Sequence, residues 1–149
     1  MASVSIIVGT VYGTAKALAE DIKSELENAN HSVSIIENAK AGDIPTEDGA
    51  ILLVCTSTTG AGELPGNLEP LYDELKANPQ SLGHLRYAVV NLGDSSFGDT
   101  YCGAGKLMDE LLSEQGASAL SPPLEIDACE TMMPEDEAVP WAADVFASA

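Results

Sequence analysis

The run Ala50-Ile51-Leu52-Leu53-Val54-Cys55 offers no polar residue for a wet face. Its length and β-branched content fit a strand buried on both sides. A strand of that kind must have a layer of structure over each face, which excludes an open sheet with one solvated side. The run empties into Thr56-Ser57-Thr58-Thr59-Gly60-Ala61-Gly62-Glu63-Leu64-Pro65, where small hydroxyls and glycines bring backbone amides to the border of the sheet. A border of that composition can hold a ligand.

The rest of the chain reads as alternating strands and helices. Ser3 to Val8 is a first strand, followed by the turn Gly9-Thr10-Val11-Tyr12-Gly13-Thr14. Ala15, Leu18, Ala19, Ile22, Leu26 and Ala29 then recur at helical spacing, with Lys16, Glu20, Lys23 and Glu27 on the other side. Ser32 to Ile36 predicts a second strand, and Glu37 to Gly49 a loop or short helix. Leu68, Leu71, Tyr72 and Leu75 mark a helix ending near Asn78-Pro79, because the residue before proline disfavours helical geometry. Leu85 to Leu92 is a fourth strand. The loop Gly93 to Gly103 leads into a helix marked by Ala104, Leu107, Met108, Leu111 and Leu112, with Gly116 as its cap. A fifth strand near Leu120 to Ile126 contains Pro122 and Pro123, which cannot donate ladder hydrogen bonds and suit a sheet edge. Pro134 opens a last helix, with Glu135, Asp136 and Glu137 in a first turn whose dipole favours acids. Such alternation predicts a parallel sheet covered by helices on both faces.

With 149 residues the chain fits one domain, 1–149, and buries about two-thirds of its unfolded surface. Neither a membrane span nor a secretory signal is readable, so the expected location is cytoplasmic. Cys55, Cys102 and Cys129 are odd in number and lack a CxxC pair, which argues against a disulfide framework or a metal site. Six Lys and Arg against 24 Asp and Glu give a formal charge of −18, which repels nucleic acid and anionic membranes.

In sheets of this kind ligands bind beyond the carboxyl ends of the strands. The turn Gly9 to Thr14 opens a helix, whose amides and dipole attract an anion. It has neither the GxxxxGK[ST] nor the GxGxxG spacing, which disfavours nucleoside triphosphate chemistry. His31 and His84 fall at strand beginnings, on the far border, and read as surface histidines. Cys102 has no nearby His or Lys to activate it and reads as a packing residue. No nucleophile and base are paired, so no catalytic residue is assigned. The site suits holding a planar, phosphorylated ligand.

Gly9-Thr10-Val11-Tyr12-Gly13-Thr14, Thr56 to Pro65 and Leu92-Gly93-Asp94-Ser95-Ser96-Phe97-Gly98-Asp99-Thr100-Tyr101-Cys102-Gly103-Ala104-Gly105-Lys106 together resemble the three FMN loops of the flavodoxin family. The resemblance covers essentially the whole chain and points to the small bacterial flavodoxins of the MioC/YqcA type. It implies a flavodoxin-like three-layer α/β sandwich, a five-stranded parallel sheet in order 2-1-3-4-5, with FMN at the switch between strands 1 and 3. The length implies the short-chain form. Thr10, Val11, Tyr12, Gly13 and Thr14 would bind the FMN phosphate. Ser57, Thr58, Thr59, Gly60, Ala61 and Gly62 would pass along the isoalloxazine and ribityl chain, with the peptide at Gly60 able to turn its carbonyl towards flavin N5. Leu92, Gly93 and Asp94 would border the pyrimidine edge, Phe97 would stack on the outer face, and Tyr101 and Cys102 would lie close by. Asp127 matches an acidic position near the flavin.

Two features depart from the family pattern. Many relatives have Trp or Tyr where this chain has Thr59, and the spacing from Phe97 to Tyr101 is lengthened. An aromatic contact contributes about 0.5 to 1.5 kcal/mol beyond burial, so looser FMN retention is expected. The resemblance implies a low-potential electron carrier and no substrate turnover of its own. Its expected partners are a basic, NADPH-dependent flavoprotein reductase and an unidentified redox acceptor, with the carrier itself a monomer. The alternative is an interaction or regulatory module of the same fold with weak or partner-dependent FMN binding. A receiver domain is disfavoured, because Gly9-Thr10 and Thr56-Ser57 stand where it needs an acidic cluster and a phosphoacceptor Asp.

Overall fold

The computed structural model describes residues 3–9, 14–45, 49–57, 66–93, 103–127 and 135–147. In order these form β1 (Ser3–Gly9), α1 (Thr14–Asn28), β2 (Ser32–Glu37), a 3-10 turn (Ala41–Asp43), β3 (Ile51–Ser57), α2 (Glu69–Ala77), β4 (Arg86–Gly93), α3 (Gly103–Glu114), β5 (Ser118–Ala119), β6 (Leu124–Asp127) and α4 (Glu135–Val145). Pro134, the expected opening of the last helix, lies outside the described residues, as does Cys129.

The strands pair in parallel in the order β2-β1-β3-β4-β5, with β6 also on β4. Side chains alternate across the three central strands, and both faces are covered. On one face Ile6, Val8, Leu53, Cys55 and Val90 pack with Leu18 and Ile22 of α1 and Ala138 and Ala142 of α4. On the other Ile7, Leu52, Val54 and Val89 pack with Leu71 and Leu75 of α2 and Met108 and Leu112 of α3. That is why Ile51 to Cys55 is apolar without interruption. Each such side chain, fully buried, contributes about 1.5–3 kcal/mol relative to exposure.

Helix ends follow local chemistry. Asn30 adopts φ +70° after α1, and the amides of Asn30 and His31 return to the carbonyls of Glu27 (3.0 Å) and Leu26 (3.0 Å). Gly116 adopts φ +101° after α3, and the amides of Gly116 and Ala117 return to Ser113 and Leu112, both at 3.1 Å. Both are left-handed caps with paired return bonds. The expected cap at Gly116 is therefore present. The cap at Asn30 also overturns the surface reading of His31. As the residue after the left-handed position, His31 is folded back against the helix, is 8% exposed, and meets the Phe146 ring edge-on at 6.3 Å.

The expected fifth strand is divided. Ser118 and Ala119 pair with Arg86 and Tyr87, whereas Leu124 pairs with Val90. Residues 120–123 thus span a gap of two residues on β4, because Pro122 and Pro123 lack the amide donors a continuous ladder needs.

Candidate functional site at the carboxyl ends of the strands

The chain leaves β1 towards β2 on one side and returns to β3 on the other, so the winding reverses between β1 and β3. At that border Gly9, Thr56 and Asn91 form one lateral row across β1, β3 and β4. One step further, Ser57 pairs with Leu92, and two steps further, Gly93 pairs with Asp127 of β6. The four strands therefore end within two residues of one another at this border, and the loops quoted above begin from them.

The row is tightly fitted. A Cβ on Gly9 would lie 2.6 Å from Oγ1 of Thr56 and 2.9 Å from Cδ2 of Leu68, so only glycine brings β1 this close to Leu68. Thr56 and Asn91 are both fully buried. Thr56 Oγ1 donates to the Ser57 carbonyl at 2.9 Å, and Asn91 Nδ2 donates to the Leu92 carbonyl at 3.0 Å. A buried hydroxyl or amide is tolerated when it is hydrogen-bonded in this way.

Helix α1 starts at Thr14, just past the end of β1, and carries no acidic residue in its first turn. In a chain with 24 acids this leaves the positive end of the helix dipole open to an anion. By contrast, Glu135, Asp136 and Glu137 fill the first turn of α4. Cys55 of β3 ties α1 to the sheet, its thiol donating to the Ala15 carbonyl at 3.3 Å. Burial pushes that thiol up to about 12, so Cys55 is a packing donor and not a nucleophile.

Among the expected site residues, Thr14 opens α1, Ser57 closes β3, Leu92 and Gly93 close β4, and Asp127 closes β6. Ser57 and Leu92 face each other in register, as do Gly93 and Asp127. Thr10, Val11, Tyr12, Gly13, Thr58, Thr59, Gly60, Ala61, Gly62, Asp94, Phe97, Tyr101 and Cys102 lie outside the described residues. Sequence reasoning missed the roles of Gly9, Thr56, Asn91 and Gly105. The signal was present in Asn91, a polar residue at an inward position of an otherwise apolar strand. Among the described residues no cluster of His, Cys, Asp or Glu could hold a metal ion.

An acid-free helix start beside the neighbouring ends of β1, β3 and β4 fits a phosphorylated, planar group such as FMN. The comparisons agree. The family model described as Flavodoxin matches residues 6–141. Flavodoxin YqcA of Escherichia coli is 40% identical over 95% of this chain and 94% of its own, and the MioC protein of the same species is 32% identical over 95% and 94%. A solved structure of a cysteine-to-serine mutant of flavodoxin from Pseudomonas aeruginosa superposes with a TM-score of 0.86, at 40% identity over 95% of both chains. The chain belongs to the flavodoxin family, as an FMN-binding electron carrier and not an enzyme with a substrate of its own.

Proposed function

We propose that this protein shuttles electrons in the cytoplasm, from a basic NADPH-dependent flavoprotein reductase to a separate redox acceptor. The observation that carries the cofactor half is the level row Gly9, Thr56 and Asn91 beside an α1 start free of acids. Bound FMN supplies the electron chemistry, and the chain binds, orients and electrostatically tunes it. The first turn of α1 and residues 10–13 hold the phosphate. Residues 57–62 follow the ring and ribityl chain, Leu92 to Asp94 border the pyrimidine, and Phe97 stacks on the outer face with Tyr101 and Cys102 close by.

The charge distribution supports the partner half. Asp136 and Glu137 are exposed at the start of α4, and Glu69 and Asp73 are exposed on α2. Acids near the flavin disfavour added negative charge and lower its potential, while a net charge of −18 steers a basic partner to the molecule.

Freshly purified protein should be yellow, and apoprotein should bind FMN in a titration. Colourless protein that takes up no FMN would overturn the carrier role. Electron transfer from a basic reductase should slow as salt rises, and a rate flat from low to high ionic strength would remove the partner assignment. The second reading, a partner-dependent FMN module, is favoured by Thr59 at a position where many relatives have an aromatic. Its signature is FMN uptake only after a partner is added.

A further inference from the structure

Thr56 and Asn91 are not among the flavin contacts assigned above, yet they are the two polar side chains of the described residues that are completely buried. They are register partners on adjacent strands. Each donates to the carbonyl of the residue that follows it, and those residues, Ser57 and Leu92, are the last register pair between β3 and β4. Side-chain donors of this kind compete with the ladder for backbone acceptors, so they mark where regular pairing stops. Two glycines hold the pair from either side. A Cβ on Gly9 would lie 2.6 Å from Thr56 Oγ1, and a Cβ on Gly105 would lie 2.6 Å from Asn91 Oδ1. Both side chains are thus packed directly against glycine backbone, with no room for a Cβ between.

An apolar residue would fill either position without the desolvation of a hydroxyl or an amide. What the two donors add is a hold on the closing peptides of β3 and β4. We infer that Thr56 and Asn91 are positioning residues for the cofactor: they fix the closing peptides of β3 and β4, and so the direction in which the two flavin-bordering segments leave the sheet. The inference rests on the FMN assignment above, and it adds to that assignment two residues that do not touch the flavin.

The test uses Thr56→Val and Asn91→Leu, which keep size and remove the donor, with Thr56→Ser restoring it. Amide hydrogen exchange of the apoprotein is read at Ser57, Leu92 and Gly93 and compared with Ile6 and Ile7 in the centre of the sheet. FMN affinity and the visible spectrum of the bound flavin are read on the same variants. Losing one net hydrogen bond predicts FMN dissociation constants raised roughly three- to tenfold, with exchange at the strand ends accelerated by a similar factor over the centre. The spectrum shifts, and Thr56→Ser returns all three to wild type. Exchange that rises equally at Ile6 and Ser57 would reduce the pair to a structural role and overturn the inference. Unchanged FMN affinity and spectrum in both variants would overturn it as well. Wild-type protein that binds no FMN overturns the functional assignment itself, a result distinguishable from either.

Discussion

Gly105 at the start of α3 leaves no gap against Asn91 of β4: a Cβ there would sit 2.6 Å from Oδ1 and 2.7 Å from Cβ of Asn91. Gly105→Ala is expected to destabilise the protein by about 1–3 kcal/mol, despite the better helix propensity of alanine, because a buried side chain must shift. Urea unfolding measures it. A variant as stable as wild type would show that α3 can lift away from the sheet freely.

Cys55 should be chemically silent in the folded protein. It is fully buried, and its thiol is pushed up to about 12 by burial. Mass spectrometry after alkylation near pH 8 should leave the Cys55 peptide unlabelled until denaturant is added. Labelling at the rate of a free thiol would contradict the packing role.

The Tyr87 phenol lies well above its ordinary range, through burial first and then the hydrogen bond and negative charge of Asp109, while Ser113 lowers it. Its OH donates to Asp109 Oδ1 at 2.6 Å. A folded-state value above the unfolded one stabilises the protein fully below the unfolded value of about 10, and that contribution is lost as pH rises beyond it. The stability difference between wild type and Tyr87→Phe should therefore shrink from about pH 10 upward. A difference that stays constant through that window would disprove the linkage.

Pro140 sits inside α4 and cannot donate to the carbonyl of Asp136. Pro140→Ala should stabilise the protein by about 2 kcal/mol, the interior proline penalty less the entropy that proline removes from the unfolded chain. Thermal unfolding reads this as a raised midpoint, and a lowered one would mean that the ring packs better than the lost hydrogen bond.

Lys16 and Glu37 pair at 3.3 Å with 44% and 41% of their side chains exposed. Replacing Lys16 by Met should change stability by less than about 1 kcal/mol, since exposed pairs are screened. A double-mutant cycle with Glu37→Gln checks it, and a larger coupling would mean that the pair is better ordered than its exposure implies.

Most of the scaffold is legible in the sequence because periodicity and burial agree there. Ala15, Leu18, Ala19, Ile22 and Leu26 enter the core, as their spacing predicts, whereas Ala29, past the end of α1, is exposed; β3 is buried on both faces. What stays hidden depends on partners distant in sequence. That Gly9 must be small follows from Thr56 and Leu68, and that Gly105 must be small follows from Asn91. Neither constraint leaves a local pattern. The burial of His31 is equally silent in the sequence, since it comes from the cap at Asn30 and from Phe146 near the other end of the chain. At the site, the strand ends Ser57, Leu92, Gly93 and Asp127 are readable as neighbours of one border, but their lateral pairing is a matter of register, which sequence alone does not show.

The divided strand β5–β6 has a consequence for how copies of this chain meet. A sheet border normally presents a continuous row of donors and acceptors to which a foreign strand can add. Here, beyond the Leu120 amide that still donates to the Tyr87 carbonyl, residues 121–123 leave the line of β4, and Pro122 and Pro123 have no amide hydrogen to offer. A strand approaching that flank finds the row broken in the middle, so self-association by strand addition is frustrated on that side of the sheet.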